Sequence, residues 1–229
     1  MRVLEILGAT AFTVGLYWAC SLVQRRLRVS LLNPLLLAVL LGGALFELLP
    51  PGWLDAYLRG AAPMVWLLGP ATAALALPFF RQRALLVEHP WSVVLAAVAG
   101  SASTVAAVWG LGALLGLPDT LLMAASLKSV TLPVALGLTE VVHTQPGLTT
   151  VCVFCNGLIG AAIGPALLGW ARVRSPIARG LALGTLSHAI GTARALEEDP
   201  LSGAAGVVAL TLSALLIGAG AIALSLLVR

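Results

Sequence analysis

A lysine, two hydroxyl side chains and a proline interrupt an apolar stretch in the middle of this sequence. Residues 126–140 read SLKSVTLPVALGLTE, which places Lys128, Ser129, Thr131 and Pro133 in a run otherwise suited to a membrane interior. A lysine there costs about 2.5–3.5 kcal/mol even on lenient insertion scales, which favours a binding role. An ammonium group beside hydroxyls could bind a small carboxylate. The alternative is that the lysine extends to the membrane surface.

A second apolar stretch is interrupted in the same way. Residues 175–196 read SPIARGLALGTLSHAIGTARAL, with Ser187, His188, Thr192 and Arg194 among the apolar residues. Two interrupted segments on either side of an ordinary helix are typical of a transporter binding site. Broken helices also expose N-terminal N–H groups, which attract anions. We therefore predict that both stretches line one site for a small organic anion.

Two of these side chains have a second interpretation. Arg194 precedes Glu197 and Glu198, so a local ion pair is an alternative to substrate binding. His188 either forms a hydrogen bond within a helix bundle or donates a proton to the substrate, because imidazole titrates near physiological pH.

Three further residues are candidates for coupling or gating. Glu140 either ends its segment or carries a coupling proton. Asn156 lies in an apolar segment, where an interhelical hydrogen bond is expected. Arg179 follows the basic loop at Arg172 and is either a topology signal or a ligand contact.

The whole chain has the composition of a membrane protein. Of its 229 residues, 60% are hydrophobic and only 10% are charged, which excludes an ordinary soluble domain. The apolar stretches recur along nearly the whole chain, so we predict one integral membrane domain over residues 1–229. The net charge of +4 then concerns topology and gives no reason to expect a nucleic-acid partner.

The candidate residues do not predict an enzyme. Ser187 and His188 are adjacent, a spacing that rarely suits a nucleophile and its base, and no G-x-S-x-G motif accompanies them. Cys152 and Cys155 form a C-x-x-C pair without a second pair to complete a zinc site, so we interpret them as packing residues. We expect no metal and no cofactor, with H⁺ or Na⁺ as the coupling ion.

Helices must position these residues. A membrane-spanning helix needs roughly 20 apolar residues. The sequence therefore predicts an all-α, polytopic transmembrane bundle of about seven to eight hydrophobic segments, two of them interrupted or re-entrant. The predicted segments are residues 3–23, 31–49, 60–80, 91–117, 119–140, 147–171, 177–196 and 202–228. Residues 67–78 and 161–171 share Gly-Pro-Ala, so an inverted repeat is one interpretation.

Basic loops predict the orientation. Arginine clusters at Arg25, Arg81 and Arg172 follow the first, third and sixth segments, and positively charged loops favour the cytoplasm. Three segments separate the second cluster from the third, which would place these clusters on opposite sides. One of the three should therefore enter and leave on the same side. The segment at 119–140 is the candidate, because its polar residues and Pro133 disfavour a continuous lipid-facing helix.

Together these motifs resemble the LrgB/CidB family. The resemblance rests on NPLLLAVLL (33–41), LLGPATAALALP (67–78), KSVTLPVAL (128–136) and SPIARGLALGTLSHAIGTARALEEDP (175–200). Residues 1–30 carry little of it, whereas residues 31–229 form the family core. Leu127 stands where the family usually has proline, and Leu132 where it usually has threonine, so the exact substrate does not carry over.

The resemblance implies two different functions. Bacterial members have been described as antiholin-like proteins that modulate murein hydrolase export and cell lysis. Plastid members look like glycolate/glycerate transporters, and some bacterial relatives are linked to pyruvate uptake. The resemblance also implies a small membrane partner of the LrgA/CidA type, with a homo-oligomer as a further arrangement. We expect the bacterial plasma (inner) membrane as the location.

The residues themselves favour transport, because a holin-like protein needs only helices that associate. We predict secondary transport of a monocarboxylate of the glycolate, glycerate, pyruvate or lactate type by alternating access. Lys128 would bind the carboxylate, Ser129 and Thr131 would form hydrogen bonds to it, and His188 would donate or relay a proton. The alternative is an antiholin-like accessory subunit without transport of its own.

Overall fold

The computed structural model of the protein describes residues 2–27, 34–74, 76–88 and 90–227. These residues form helices and no strand, which confirms the all-α prediction for this part of the chain. The helices are α1 (Arg2–Leu27), α2 (Pro34–Leu48), α3 (Trp53–Trp66), α4 (Leu68–Ala74), α5 (Ala76–Arg81), α6 (Arg83–Glu88), α7 (Pro90–Leu114), α8 (Asp119–Ser126), α9 (Leu132–Leu138), α10 (Pro146–Trp170), α11 (Pro176–Glu198) and α12 (Pro200–Leu227).

Four helices among the described residues are long and apolar enough to cross a membrane. They cover Val3–Arg26, Pro90–Leu114, Pro146–Trp170 and Pro200–Ala223. Each corresponds to a predicted segment, namely the first, fourth, sixth and eighth. A total of seven to eight hydrophobic segments stays a prediction.

The predicted segment at residues 60–80 is wrong as a single span. The chain there is divided between α3, which begins at Trp53, and α4, which begins at Leu68. Pro70 stands in the first turn of α4, where a proline is tolerated. Within one long helix it would remove a backbone hydrogen bond and clash with the preceding turn. The predicted start of the second segment, at residue 31, lies outside the described residues.

Residues Met1–Ala71 form one compact unit. Within it α1 packs against α2 and α3. Phe12, Phe46 and Tyr57, one from each of these helices, have ring centroids 4.9–5.7 Å apart. The Tyr57 hydroxyl also lies 3.0 Å from Thr13 Oγ1. Aromatic contacts of this kind stabilise the three-helix unit beyond the burial of their area.

Residues Thr72–Arg229 form the second compact unit, and they contain every predicted substrate-binding residue. α11 packs against α7, α10 and α12. One apolar cluster joins Val93 of α7, Leu181 of α11 and Val208 of α12. A second joins Leu127 and Val130, which lie between α8 and α9, to Val153 of α10. Both interrupted stretches are therefore held in the apolar interior of this unit.

α11 folds back on itself at Ser187 and His188. These residues leave the helical conformation, with φ/ψ of −122°/20° and 43°/−137°. Arg179 near the start of α11 and Glu198 at its end are 19 residues apart, yet their side chains form an ion pair of 2.8 Å. A straight helix would separate the two residues by about 28 Å. α11 is therefore a helical hairpin. We call it the second hairpin, because another one, described below, precedes it in the chain.

Small residues pack both arms of the second hairpin against α12. The arms are residues 176–186 and 189–198. A Cβ atom at Gly180 would lie 2.0 Å from the Ser202 carbonyl oxygen, and one at Gly184 would lie 2.3 Å from that of Gly206. From the first contact to the second, the residue number rises by four on the arm and by four on α12, so the first arm runs parallel to α12. A Cβ atom at Gly206 would also lie 3.1 Å from Thr192 of the second arm, so α12 contacts both arms.

The first interrupted stretch also returns to where it began. α8 ends at Ser126, α9 begins at Leu132, and the chain between them is not helical. Beyond α9, the Thr144 hydroxyl donates a 3.1 Å hydrogen bond to the carbonyl of Thr120 in the first turn of α8. We call residues 119–144 the first hairpin and residues 127–131 its tip. Pro133 contributes to the break, because a helix continuing through it from α8 would clash with its ring.

Candidate functional site

The tips of the two hairpins are joined by one side chain. Asn156 Nδ2 donates hydrogen bonds to the carbonyl of Lys128 at 3.2 Å and to the carbonyl of Leu186 at 2.5 Å. Lys128 lies in the first tip, and Leu186 ends the first arm of the second hairpin. Both carbonyls lie at helix interruptions, where regular backbone pairing ends. The interhelical hydrogen bond predicted for Asn156 is therefore present, and it brings the two interrupted stretches together.

The Lys128 ammonium lies among hydroxyl groups. It donates to Thr104 Oγ1 of α7 and, at 3.4 Å, to Ser129 Oγ. Thr104 and Ser129 are both buried, with 6% and 0% of their surface exposed. Within the part of the chain that the structure describes, the ion pairs involve arginines, and none involves Lys128. The lysine is therefore a partly buried cation whose hydrogen-bond partners are neutral.

His188 occupies the tip of the second hairpin and contacts α10. Its Nε2 lies 3.0 Å from the carbonyl oxygen of Val153, so this nitrogen carries the hydrogen and donates it. Thr192, one turn along the second arm, donates to the His188 carbonyl at 2.9 Å. The positive φ of 43° at His188 is unusual for a residue other than glycine and costs on the order of 1–3 kcal/mol. Strain of this kind is typical of functional sites.

Glycines of α10 make room for the second tip. A Cβ atom at Gly157 would lie 2.7 Å from His188 Nε2, and one at Gly160 would lie 1.7 Å from Ser187 Oγ. Farther along the same face, a Cβ atom at Gly164 would lie 2.7 Å from Leu183. A side chain at these positions would clash with the second hairpin unless the facing side chains rotate away. The tip therefore reaches its place because this face of α10 has no side chains.

The remaining predicted substrate-binding residues lie apart from the two tips or at their margin. Thr131, 6% exposed, ends the first tip, and Pro133 stands in the first turn of α9. Arg194 lies on the second arm and pairs with Glu197 at 2.7 Å. The local ion pair considered for Arg194 is therefore present. Nothing in the described contacts brings Arg194 to the ammonium of Lys128.

Two candidates for coupling or gating also lie away from the tips. Arg179 is held at the base of the second hairpin by Glu198 and donates to the carbonyls of Val173 and Pro165, each at 3.2 Å. These contacts satisfy the guanidinium and connect the hairpin base to the end of α10. Glu140 is exposed beyond the end of α9. Gating and coupling roles for both residues stay predictions.

Sequence reasoning missed Thr104, whose hydroxyl accepts a hydrogen bond from Lys128. The available signal was its spacing from Ser101, three residues earlier on α7. Residues three apart share a helix face. Ser101 Oγ lies 2.9 Å from Ser213 Oγ of α12, and Ser213 in turn lies 3.4 Å from the Thr185 carbonyl of α11. This face of α7 therefore connects the polar groups of three helices.

The cysteine pair lies beside the site without forming a metal centre. Cys152 of α10 is half-buried, and Cys155 is exposed. No group of three potential metal ligands occurs among residues 2–27, 34–74, 76–88 and 90–227. The functional groups at the two tips are one ammonium, several hydroxyls and an imidazole. Such a set can bind an anion through charge and hydrogen bonds.

Comparison with known proteins identifies relatives along most of the chain. The sequence matches the LrgB-like family over residues 13–227. It is 32% identical over 204 residues to the uncharacterized protein YxaC of Bacillus subtilis (strain 168), which is 89% of this chain and 88% of the relative. It is 34% identical over 182 residues to the antiholin-like protein LrgB of Bacillus mycoides (strain KBAB4), which is 79% of this chain and 78% of the relative. No solved structure matches the chain.

Proposed function

Because this chain belongs to the LrgB-like family of membrane proteins, we propose that it binds a small organic anion at the two hairpin tips and moves it across the membrane. One observation carries the proposal. Asn156 joins two helix interruptions, and one of them holds the ammonium of Lys128 without a carboxylate partner among the described residues. A partly buried cation with neutral contacts inside a membrane segment is an unfavourable arrangement until an anion binds.

The lengths of the hairpin arms support a site inside the bilayer. The first arm of the second hairpin has 11 residues, or about 16 Å of helix. A bilayer has a hydrocarbon core of roughly 30 Å. A hairpin that enters from one face therefore ends near the midplane, where broken helices bind substrate in transporters. We propose that both hairpins are re-entrant in this sense.

The two re-entrant hairpins agree with the predicted orientation. With the first hairpin returning to its own side, only α7 and α10 cross between the clusters at Arg81 and Arg172. Two crossings place both clusters on the same face, as the positive-inside rule requires. We propose that this face, together with the Arg25 loop, is cytoplasmic and that the membrane is the bacterial plasma membrane.

The way the tips are held supports alternating access. Each tip contacts α10, and the arms that lead to it are short. Either hairpin can therefore move while the membrane-spanning helices stay folded. Movement of one tip away from Asn156 opens the site to one side. Lys128 binds the carboxylate, the hydroxyls of Ser129 and Thr131 donate hydrogen bonds to it, and His188 relays the coupling proton. Na⁺ bound by carbonyls of the interruptions is the other coupling ion that this geometry allows.

The substrate class is a small monocarboxylate of the glycolate, glycerate, pyruvate or lactate type. One ammonium matches one carboxylate, and the neighbouring hydroxyl groups match a hydroxyl or carbonyl oxygen on the next carbon. Arg194 and Arg179 are already paired with glutamates. The residues at the tips therefore suit a single negative charge better than two.

A second candidate function is favoured by the names of the relatives. The Bacillus mycoides relative, and others from Bacillus cereus strains at the same identity, are named antiholin-like protein LrgB. These names support an antiholin-like accessory role more strongly than transport of any particular monocarboxylate. In that role the chain modulates murein hydrolase export and cell lysis with a small LrgA/CidA-type membrane partner or as a homo-oligomer. Lys128 then serves only the packing of the tips.

Uptake into proteoliposomes tests the proposal. The purified protein, alone and with its small partner, would be given radiolabelled pyruvate, glycolate and lactate under imposed H⁺ or Na⁺ gradients. We expect saturable uptake, reduced at least about tenfold in Lys128→Met, because the substitution keeps the side-chain length and removes the charge-assisted bond. Arg59→Met is the matched control, since Arg59 is an exposed cation of the first unit.

The two functions predict different results in this assay. Saturable uptake that Arg59→Met retains and Lys128→Met loses supports transport. Absence of uptake of every anion under both gradients, with the partner present, overturns the transport proposal and leaves the antiholin-like role. A lysis assay in cells then decides whether Lys128→Met behaves like the unmodified protein.

A further inference from the structure

A groove outside the site described above lies between α7 and the first arm of the second hairpin. α7 contributes Ser92, Ala96, Gly100 and Ser103, which follow one another at helical spacing. The arm contributes a face that extends from Ser175 to Leu186, and the groove has a volume of about 540 Å³. That volume is large enough for a small carboxylate together with several waters.

The groove leads from the base of the second hairpin to its tip. At the inner end, a Cβ atom at Gly100 would lie 2.7 Å from Thr185. Nearer the outer end, Val93 packs in the same apolar cluster as Leu181. The two helices therefore run side by side in the same direction. The groove ends at Leu186, whose carbonyl accepts the hydrogen bond from Asn156.

Hydroxyl groups lie at both ends of the groove, and apolar residues line its middle. Ser92 and Ser175 lie towards its outer end, and Ser103 and Thr185 lie at its inner end. Thr185 is 2% exposed, and its Oγ1 has no hydrogen-bond partner within the described part of the chain. Hydrocarbon cannot satisfy a buried hydroxyl, whereas water or a solute oxygen can. The Thr185 hydroxyl is therefore an enclosed, unpaired polar atom at the inner end, and it would gain a partner if a polar occupant reached it.

Positive charge lies next to the outer end. Arg172 and Arg174 are exposed and immediately precede Ser175, the N-cap residue of the first arm. None of the described residues that line the groove itself is charged. An anion is thus attracted to the mouth and meets no opposing charge along the groove.

We propose that this groove is a water-filled passage through which a small hydrophilic anion reaches the hairpin tips from the side of the membrane on which α11 begins and ends. The identity of the solute rests on the proposed function, whereas the hydration of the groove does not. The passage would give the solute a route to the site at Lys128 and His188 and would determine the side of the membrane from which it enters.

Cysteine accessibility tests the passage without any transport measurement. Single cysteines would be placed at Ala96 or Ala182 in a full-length protein whose Cys20, Cys152 and Cys155 are replaced by alanine. Membrane-impermeant anionic and cationic methanethiosulfonates would be added from either side of sealed vesicles. Ala99→Cys is the matched control, since Ala99 is an exposed alanine of α7 that does not line the groove.

We expect Ala96→Cys and Ala182→Cys to react from the Arg174 side about a hundredfold faster than Ala99→Cys, because charged reagents are excluded from hydrocarbon. The anionic reagent should react about tenfold faster than the cationic one, and Arg174→Gln should reduce that difference. The protein's elution volume and melting temperature confirm that each variant is folded, and either groove position suffices for the test.

Two results would overturn the passage. Equally slow reaction of folded Ala96→Cys, Ala182→Cys and Ala99→Cys would mean that lipid or a protein segment fills the groove. Fast reaction only from the side opposite to Arg174 would place the opening at the wrong end. A hydrated groove in a protein that shows no anion uptake would uphold the passage and reject the proposed transport, so the two failures are distinguishable.

Discussion

At the scale of single residues, Asn156 holds the site together because its side chain hydrogen-bonds to both helix interruptions. Its amide donates to the carbonyls of Lys128 and Leu186. Inside a membrane, where lipid offers no replacement donor, a carbonyl left without a donor costs about 1–3 kcal/mol. Loss of this amide therefore affects both hairpins at once, whereas loss of an ordinary interhelical bond affects one pair of helices.

Asn156→Leu is expected to lower the free energy of unfolding by about 1–3 kcal/mol or more, since two carbonyls lose their donor. Unfolding in detergent micelles, followed by circular dichroism, measures the change. The matched control is Thr150→Val on the same helix, because the exposed Thr150 hydroxyl donates only to the Pro146 carbonyl within α10. Equal stability of Asn156→Leu and Thr150→Val would contradict a bridging role.

The sequence predicts which residues are unusual more readily than it predicts their partners. Lys128 and His188 stand out because polar groups are rare in apolar segments, and the structure places both at hairpin tips. The acceptors of their hydrogen bonds are Thr104, Ser129 and a backbone carbonyl of Val153. Threonine and valine are ordinary in a membrane helix, so composition does not mark Thr104 or Val153 as part of a site.

At the scale of elements, α10 serves as the surface on which the second hairpin is seated. Its glycines at 157, 160 and 164 lie against that hairpin. The contact depends on the absence of side chains, so an added methyl group should separate the elements. A glycine elsewhere in the same helix should tolerate the same change.

Gly160→Ala is expected to destabilise the protein by about 1–3 kcal/mol, the range for overpacking in a close-packed contact. The new methyl group would lie 1.7 Å from Ser187 Oγ and 2.8 Å from Ser187 Cβ, and rotation of the serine side chain relieves only the first clash. Gly169→Ala is the control, because nothing lies within 4 Å of its Cβ position. Alanine has the higher helix propensity, so Gly169→Ala should be neutral or stabilising by up to about 1 kcal/mol.

Thermal unfolding of the two alanine variants in detergent gives the comparison, and uptake or lysis activity can be measured on the same samples. A Gly160→Ala protein as stable as Gly169→Ala would mean that the hairpin tip does not rest on α10. The glycines of residues 180 and 184 face backbone atoms of α12, so the base of the hairpin would then be held without its tip.

At the scale of the whole molecule, the hairpins determine how many times the second unit crosses the membrane. If both are re-entrant, α7, α10 and α12 are its long crossings among the described residues. The first hairpin then starts and ends on one face, and the second hairpin starts and ends on the other. That arrangement makes a specific prediction about labelling from each side.

Single cysteines at Leu115 and Gln145, on either side of the first hairpin, should be labelled from one face. Single cysteines at Arg174 and Glu197, near the ends of the second hairpin, should be labelled from the opposite face. An impermeant maleimide applied to inside-out and right-side-out vesicles of the cysteine-free background makes the measurement. Labelling of positions 174 and 197 from opposite faces would show that α11 crosses the membrane and would reject the re-entrant hairpin.

Composition and hydrophobic pattern determined the membrane class, the all-helical architecture and the approximate bounds of α7, α10 and α12. In lipid, a helix satisfies the hydrogen bonds of its backbone N–H and C=O groups within one segment. A long apolar run is therefore enough to predict a membrane-spanning helix. The interruptions at Lys128 and at Ser187 were also predictable, because polar groups and proline disfavour a continuous lipid-facing helix.

The basic loops favoured a return for residues 119–140, but only the tertiary structure decided that the second half of α11 also turns back. The same residues could continue across the membrane, because an arm has the same hydrophobic pattern whether it crosses the membrane or turns back. The deciding contacts join residues distant in sequence: Arg179 with Glu198, Thr144 with Thr120, and Asn156 with Lys128 and Leu186. Such pairs depend on how helices pack in space, which a single sequence does not reveal through local periodicity.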